Sequence, residues 1–139
     1  YPLFLSALAA YINRVTGKYE EIKKHPKKGA RILSVISMFR DVVPIVRSHH
    51  ERIDGKGYPD GLSGDEVPFM SRVVSVADAF DAMMSDRRYR SKLDLESAIS
   101  QLQGGAGTQF DAKVVEKFVS MLEDYQQMEA EIAYTFNNP

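Results

Sequence analysis

The sequence predicts an all-α domain, and three observations carry that expectation. Apolar residues recur at helical rather than strand spacing. Prolines fall where a first helical turn accepts them, and aspartates precede several apolar runs as N-caps. With 139 residues, 44% of them hydrophobic, the chain is long enough for one core and short for two.

The first element is "LFLSALAAYINRV", a helix over 3–15 stopped at Thr16-Gly17. "KYEEIKKH" follows with helical composition, and Pro26 places His25 at a break between helices. "PKKGARILSVISMF" reads as one helix over 26–39, with Ala30, Ile32, Leu33, Val35, Ile36 and Phe39 on its apolar face. Asp41 then caps a helix from Val42 that takes Pro44 in its first turn, where N–H groups have no intrahelical acceptor. On it Val43, Val46 and His50 share a face, with His49 displaced by about 100°. Residues 53–68, rich in Gly, Pro, Asp and Ser, form a long loop of several turns, a length usually kept for function.

The next helix, about Phe69 to Ser85, has Val73, Val76, Ala77, Phe80 and Met84 as a broad apolar stripe, with Asp78 and Asp81 sharing a side. Asp94 caps "LESAISQLQ", which Gly104 and Gly105 end. Asp111 caps a last amphipathic helix through Val114, Val115, Phe118, Val119 and Leu122. Beyond Glu123 the chain turns polar and either extends that helix or pairs with another chain.

Several function classes are excluded or disfavoured by composition. A net charge of -1 gives no basic field for a nucleic-acid polymer or an anionic membrane. The absence of cysteine removes disulfides, thiolate zinc sites and cysteine nucleophiles, and suits a cytoplasmic protein. The longest apolar run, within Tyr1 to Ile12, is too short to span a bilayer. No P-loop, Gly-x-Ser-x-Gly elbow or His-Glu-x-x-His motif occurs.

The three histidines, His25, His49 and His50, each fall at a helix break or end. Adjacent histidines about 100° apart suit two neighbouring ions, or a metal and a substrate, better than one tetrahedral site. Asp78 is the carboxylate placed to complete such a centre, since burying it among Val76, Ala77 and Phe80 without a cation is costly. The bland readings stand beside this one: a histidine pair interacting with a helix dipole, and Asp78 paired with Arg72. Lys23, Lys24, Lys27, Lys28 and Arg31 around His25 fit a solvated face, whereas Arg87 and Arg90 are spaced to fork phosphate oxygens. A metal beside such arginines points to phosphoester hydrolysis.

"HHERIDGKGYPDGLSGDEVP", "SRVVSVADAFDAMMSDRRYR", "GAGTQFD" and "HPKKGARIL" together resemble the signature of HD-GYP domains, bacterial metal-dependent phosphodiesterases of cyclic di-GMP. The motifs span about Lys18 to Leu122, most of the chain. The resemblance implies an HD-superfamily helical domain over 1–124, with 125–139 a helical extension or tail. It implies His25, His49, His50 and Asp78 as ligands of one or more divalent ions, iron or manganese. It implies phosphate contacts by Arg87 and Arg90, and hydrolysis of cyclic di-GMP to pGpG or GMP. Asp54, Gly55, Gly57, Tyr58 and Pro59 correspond to the loop associated with substrate-site architecture and with docking of GGDEF-domain partners. A homodimer is a further expectation for the assembly.

The sequence departs from the family in one place. No histidine or aspartate precedes His25, so the name-giving His-Asp pair has no counterpart. In the family that pair supplies metal ligands and its Asp bridges two ions. A second expectation therefore accompanies the first: a non-catalytic module, with or without metal, that binds nucleotide or docks a GGDEF-type partner.

Overall fold

The computed structural model of the protein describes residues 18–86 and 91–137. The helix expected over 3–15 and the arginines Arg87 and Arg90 lie outside the described residues. Among the described residues six α-helices follow in order: α1 (Lys18–Ile22), α2 (His25–Leu33), α3 (Val43–Ser48), α4 (Phe69–Met84), α5 (Leu95–Gly104) and α6 (Ala112–Asn137). Short 3-10 turns cover Ser37–Phe39 and Gly64–Glu66. Among the described residues extended pairing is limited to isolated bridges, Asp54 with Ser63 and Ala106 with Phe110. The all-α expectation holds.

The main core lies where α4, α5 and α6 meet, around Val76, Met83, Ala98, Leu102 and Val115. Each such large apolar side chain contributes about 1.5–3 kcal/mol by leaving water. Phe80 and Phe118 pack edge to face at 5.1 Å, the geometry an aromatic quadrupole favours. The starts of α5 and α6 follow the sequence reading, because capping is a local interaction. Asp94 accepts from the Ser97 N–H at 2.8 Å, and Asp111 from the Lys113 N–H at 2.9 Å. Asp111 also accepts from Arg72 at 2.9 Å, which ties the start of α6 to α4.

A second layer is built by α2 on α3, and α3 packs in turn on α4. Gly29 makes the first contact close: a Cβ there would stand 3.1 Å from Val46 Cγ1. Pro26 sits in the first turn of α2, buried together with Ala30. This close packing brings the start of α2 to the end of α3.

Three expected elements are corrected. The helix expected over 26–39 ends at Leu33, Ile36 is extended, and a separate 3-10 turn follows. Ser34 closes the end by donating its hydroxyl to the Arg31 carbonyl at 2.8 Å, and β-branched Val35 and Ile36 are weak helix formers. The expected apolar face is largely lost with it, because Ile32 and Val35 are 67% and 81% exposed. Asp41 is not the cap of α3: Val42 holds that position, and no side chain caps it. Asp78 is exposed, not buried, as is Ala77, so the stripe of α4 is narrower than the apolar residues suggest.

The polar stretch after Glu123 continues α6 without a break. No described helix is long and apolar enough to cross a membrane.

Candidate metal centre

The three histidines converge. His25 is the first residue of α2, His49 follows the last turn of α3, and His50 is next in the chain. Each offers a ring nitrogen, and the three nitrogens lie within 4.8 Å of one another. The ring centroids of His25 are 5.5 Å from His49 and 4.9 Å from His50, and those of His49 and His50 are 4.1 Å apart.

Backbone hydrogen bonds set the direction of two of these donors. His25 Nδ1 donates to the Ile22 carbonyl at 2.6 Å, and His49 Nδ1 to the Val46 carbonyl at 2.7 Å. A carbonyl only accepts, so each Nδ1 carries a proton and Nε2 is the ring atom left to face a metal. This is how metal-ligating imidazoles are ordinarily oriented. His50 Nε2 lies 3.2 Å from His25 Nε2. Burial, then the neighbouring His49 and His25, pushes His50 down to about 4, while Asp78 acts in the opposite direction. His50 is thus neutral near pH 7, the form that ligates a metal.

Three imidazole nitrogens suit a divalent transition ion, and a carboxylate nearby would balance its charge. Asp78 is near enough to influence His50, but its oxygens are not among the mutually close ligand atoms. The alternative partner for Asp78 fails, because Arg72 engages Asp111, Asp65 and the Val67 carbonyl. The lysines around His25 are in exposed pairs: Lys23 with Glu20, Lys24 and Lys28 with Glu21, and Lys27 with Asp60 at 3.9 Å. They form the solvated face expected of them.

The loop after the histidines folds back over them. The Tyr58 N–H donates to the His50 carbonyl at 3.1 Å, and the Tyr58 ring lies 4.9 Å from the His50 ring, before a cis bond to Pro59. Gly57 is pressed onto the backbone of Glu51 and Arg52, where a Cβ would come within 2.4 Å of the Arg52 nitrogen. Gly55 adopts φ +74°, which favours glycine. Asp54 accepts two bonds from Arg52, at 2.9 and 2.7 Å, and one from the Lys56 N–H. Its role in this structure is to shape the loop.

Glu51 and the Arg47–Asp60 pair are the residues that sequence reasoning missed. Glu51 is 3% exposed, and its carboxylate accepts from the N–H groups of Asp60, Gly61 and Leu62 at 2.6, 3.2 and 3.1 Å. Three charge-assisted bonds fix the far side of the loop against the histidine turn. Arg47 grips Asp60 with a two-point fork at 2.7 and 2.8 Å. The only sequence signal for Glu51 is a carboxylate lodged between two functional-looking neighbours, with partners nine to eleven residues away.

Comparison with known proteins places this geometry. The HD domain family model matches residues 8–114. The cyclic di-GMP phosphodiesterase response regulator RpfG of Xanthomonas campestris is 40% identical over 97 residues, covering 68% of this chain and 26% of that protein. A cyclic di-GMP phosphodiesterase of Thermotoga maritima is 39% identical over 111 residues, covering 75% of this chain and 29% of that protein. The crystal structure of a cyclic GMP-AMP specific phosphodiesterase of Vibrio cholerae superposes with a TM-score of 0.63 at 26% identity. That alignment covers 75% of this chain and 24% of the solved one. The chain thus spans about a quarter of the length of the relatives it matches.

Proposed function

This chain belongs to the HD domain family, and from that premise we propose that it is an HD-GYP-type domain acting in metal-dependent hydrolysis of cyclic di-GMP. The observation that carries the reading is the convergence of His25, His49 and His50 beneath the loop of Gly57, Tyr58 and Pro59. The relatives' names, which specify cyclic di-GMP or cyclic GMP-AMP, support a cyclic dinucleotide as the substrate class.

His25, His49 and His50 hold a divalent ion, iron or manganese, and Asp78 balances its charge. When bound, the metal polarises a phosphate oxygen and makes water a competent nucleophile at neutral pH. The chain's own residues orient the reactants. The two Nδ1–carbonyl bonds hold the His25 and His49 rings ready, and Tyr58 covers one wall of the centre beside His50. Arg87 and Arg90 contact phosphate in this reading, and the Tyr58 loop is where a GGDEF-type partner docks. The domain works in the cytoplasm, where cyclic dinucleotide signals are read.

The test is turnover of cyclic di-GMP, with cyclic GMP-AMP in parallel, after loading with Mn(II) or Fe(II). Linear pGpG or GMP is expected, with at least a tenfold loss in His50→Ala, in line with the loss of a metal-orienting group. No turnover of either nucleotide by metal-loaded protein overturns the hydrolase reading. The alternative reading is a nucleotide-binding or docking module. It predicts nucleotide or partner binding that survives His50→Ala and weakens in Tyr58→Ala.

A further inference from the structure

The C-terminal part of α6 stands off the core. Up to Glu131, Val119 is its last buried residue, and every residue from Glu123 to Glu131 is exposed. The segment from Glu123 to Asn137 extends about 22 Å at the helical rise. An isolated helix of that length is marginal in water, so such a helix ordinarily rests on a partner.

Its surface is not uniformly polar. Met121, Tyr125 and Met128 are 54%, 54% and 50% exposed, and with half-buried Phe118 they follow a 3-4-3 spacing. At 100° per residue these four lie within about 80° of arc, the narrow seam of a paired helix. Asp124 and Glu131 border one edge and Glu129 the other. Between Phe118 and Glu131 the charged residues are all acidic, whereas Lys117 and Lys113 stand about two and three turns before Asp124, on the edge it shares with Glu131.

We propose that this seam pairs with the same seam of a second copy, the two α6 helices running antiparallel about a two-fold axis near residue 123. Charge complementarity selects both the partner and the direction. A parallel pair would set Asp124 beside the partner's Glu129, acid against acid on both sides. The antiparallel register places Phe118 across from the partner's Met128 and Met121 across from the partner's Tyr125. Lys117 then meets the partner's Glu131, and symmetry repeats the pair. The remaining like-charge approach is Asp124 to its own copy, beside the axis. Lys117 is available for the contact: its side chain is 82% exposed, and its ion pair with Glu116 is long, at 3.8 Å.

The test is sedimentation of the whole chain across micromolar concentrations, with far-UV circular dichroism as a check on folding. A reversible dimer is expected. Met128→Glu should leave the monomer with its helical signal intact. Lys117→Glu and Glu131→Lys should each weaken association about tenfold, since each loses two exposed ion pairs and gains repulsions. The double variant, Lys117→Glu with Glu131→Lys, should return to within about threefold of the original, because exposed pairs of either polarity are worth similar amounts. A monomer at every concentration overturns the proposal, as does a dimer indifferent to Met128→Glu. Failure of the double variant to recover overturns the antiparallel register.

Discussion

At the scale of single residues, Gly57 shows how a loop position shapes the candidate metal centre without offering a ligand. Its Cα lies against the backbone of Glu51 and Arg52, and a Cβ would sit 2.4 Å from a main-chain nitrogen. Backbone cannot step aside as a flexible side chain can, so Gly57→Ala must displace the loop or the histidine turn. The expected cost is about 1–3 kcal/mol in stability, the range for overpacking, together with weaker metal binding as the His50 ring loses its alignment. Urea denaturation and metal titration of the variant check this; unchanged values in both would show that the loop is free of the site. Gly57 was visible in the sequence as part of a turn. Its close approach to Glu51 was not, because sequence spacing carries no distances.

At the scale of elements, the interactions that sequence reveals are those made within a few residues. Asp94 and Asp111 act as the caps their positions suggest, whereas Asp41 does not. Asp111 does more than cap, since Arg72 reaches it from α4. That guanidinium is the largest influence holding the Asp111 carboxyl below its usual range, with the Val114 and Lys113 N–H groups adding to it and burial opposing. A carboxyl depressed in the folded state stabilises it above the unfolded pKa, near 4, and this contribution is lost as pH falls through the folded value. Asp111→Asn should therefore flatten part of the acid limb of stability below about pH 4. Asp54, held at about 2 chiefly by Arg52, keeps the rest of that limb steep. Denaturation from pH 6 down to pH 3 tests the point, and parallel profiles for the two proteins would reject it.

At the scale of the whole molecule, the centre joins two helices of the second layer. His25 comes from the start of α2, and His49 and His50 come from the end of α3, which packs in turn on α4. An ion held by all three belongs to the folded state alone. At a free concentration 100-fold above its dissociation constant it should add about 2.7 kcal/mol of stability. Thermal unfolding with and without Mn(II) should show a rise in midpoint that His50→Ala abolishes. An equal rise in that variant would place the ion elsewhere.

The sequence by itself determined the helical class, the caps of α5 and α6, the break at His25 and the family, because periodicity, capping and motif order are written in neighbouring residues. Only the tertiary structure decided that Asp78 faces solvent and that Glu51 anchors the loop. It also decided that His25, at the start of α2, meets His49 and His50, at the end of α3, with ring nitrogens within 4.8 Å. These depend on what lies across a helix interface, where Gly29 lets α2 approach Val46, and such contacts are fixed by packing between segments distant in the chain.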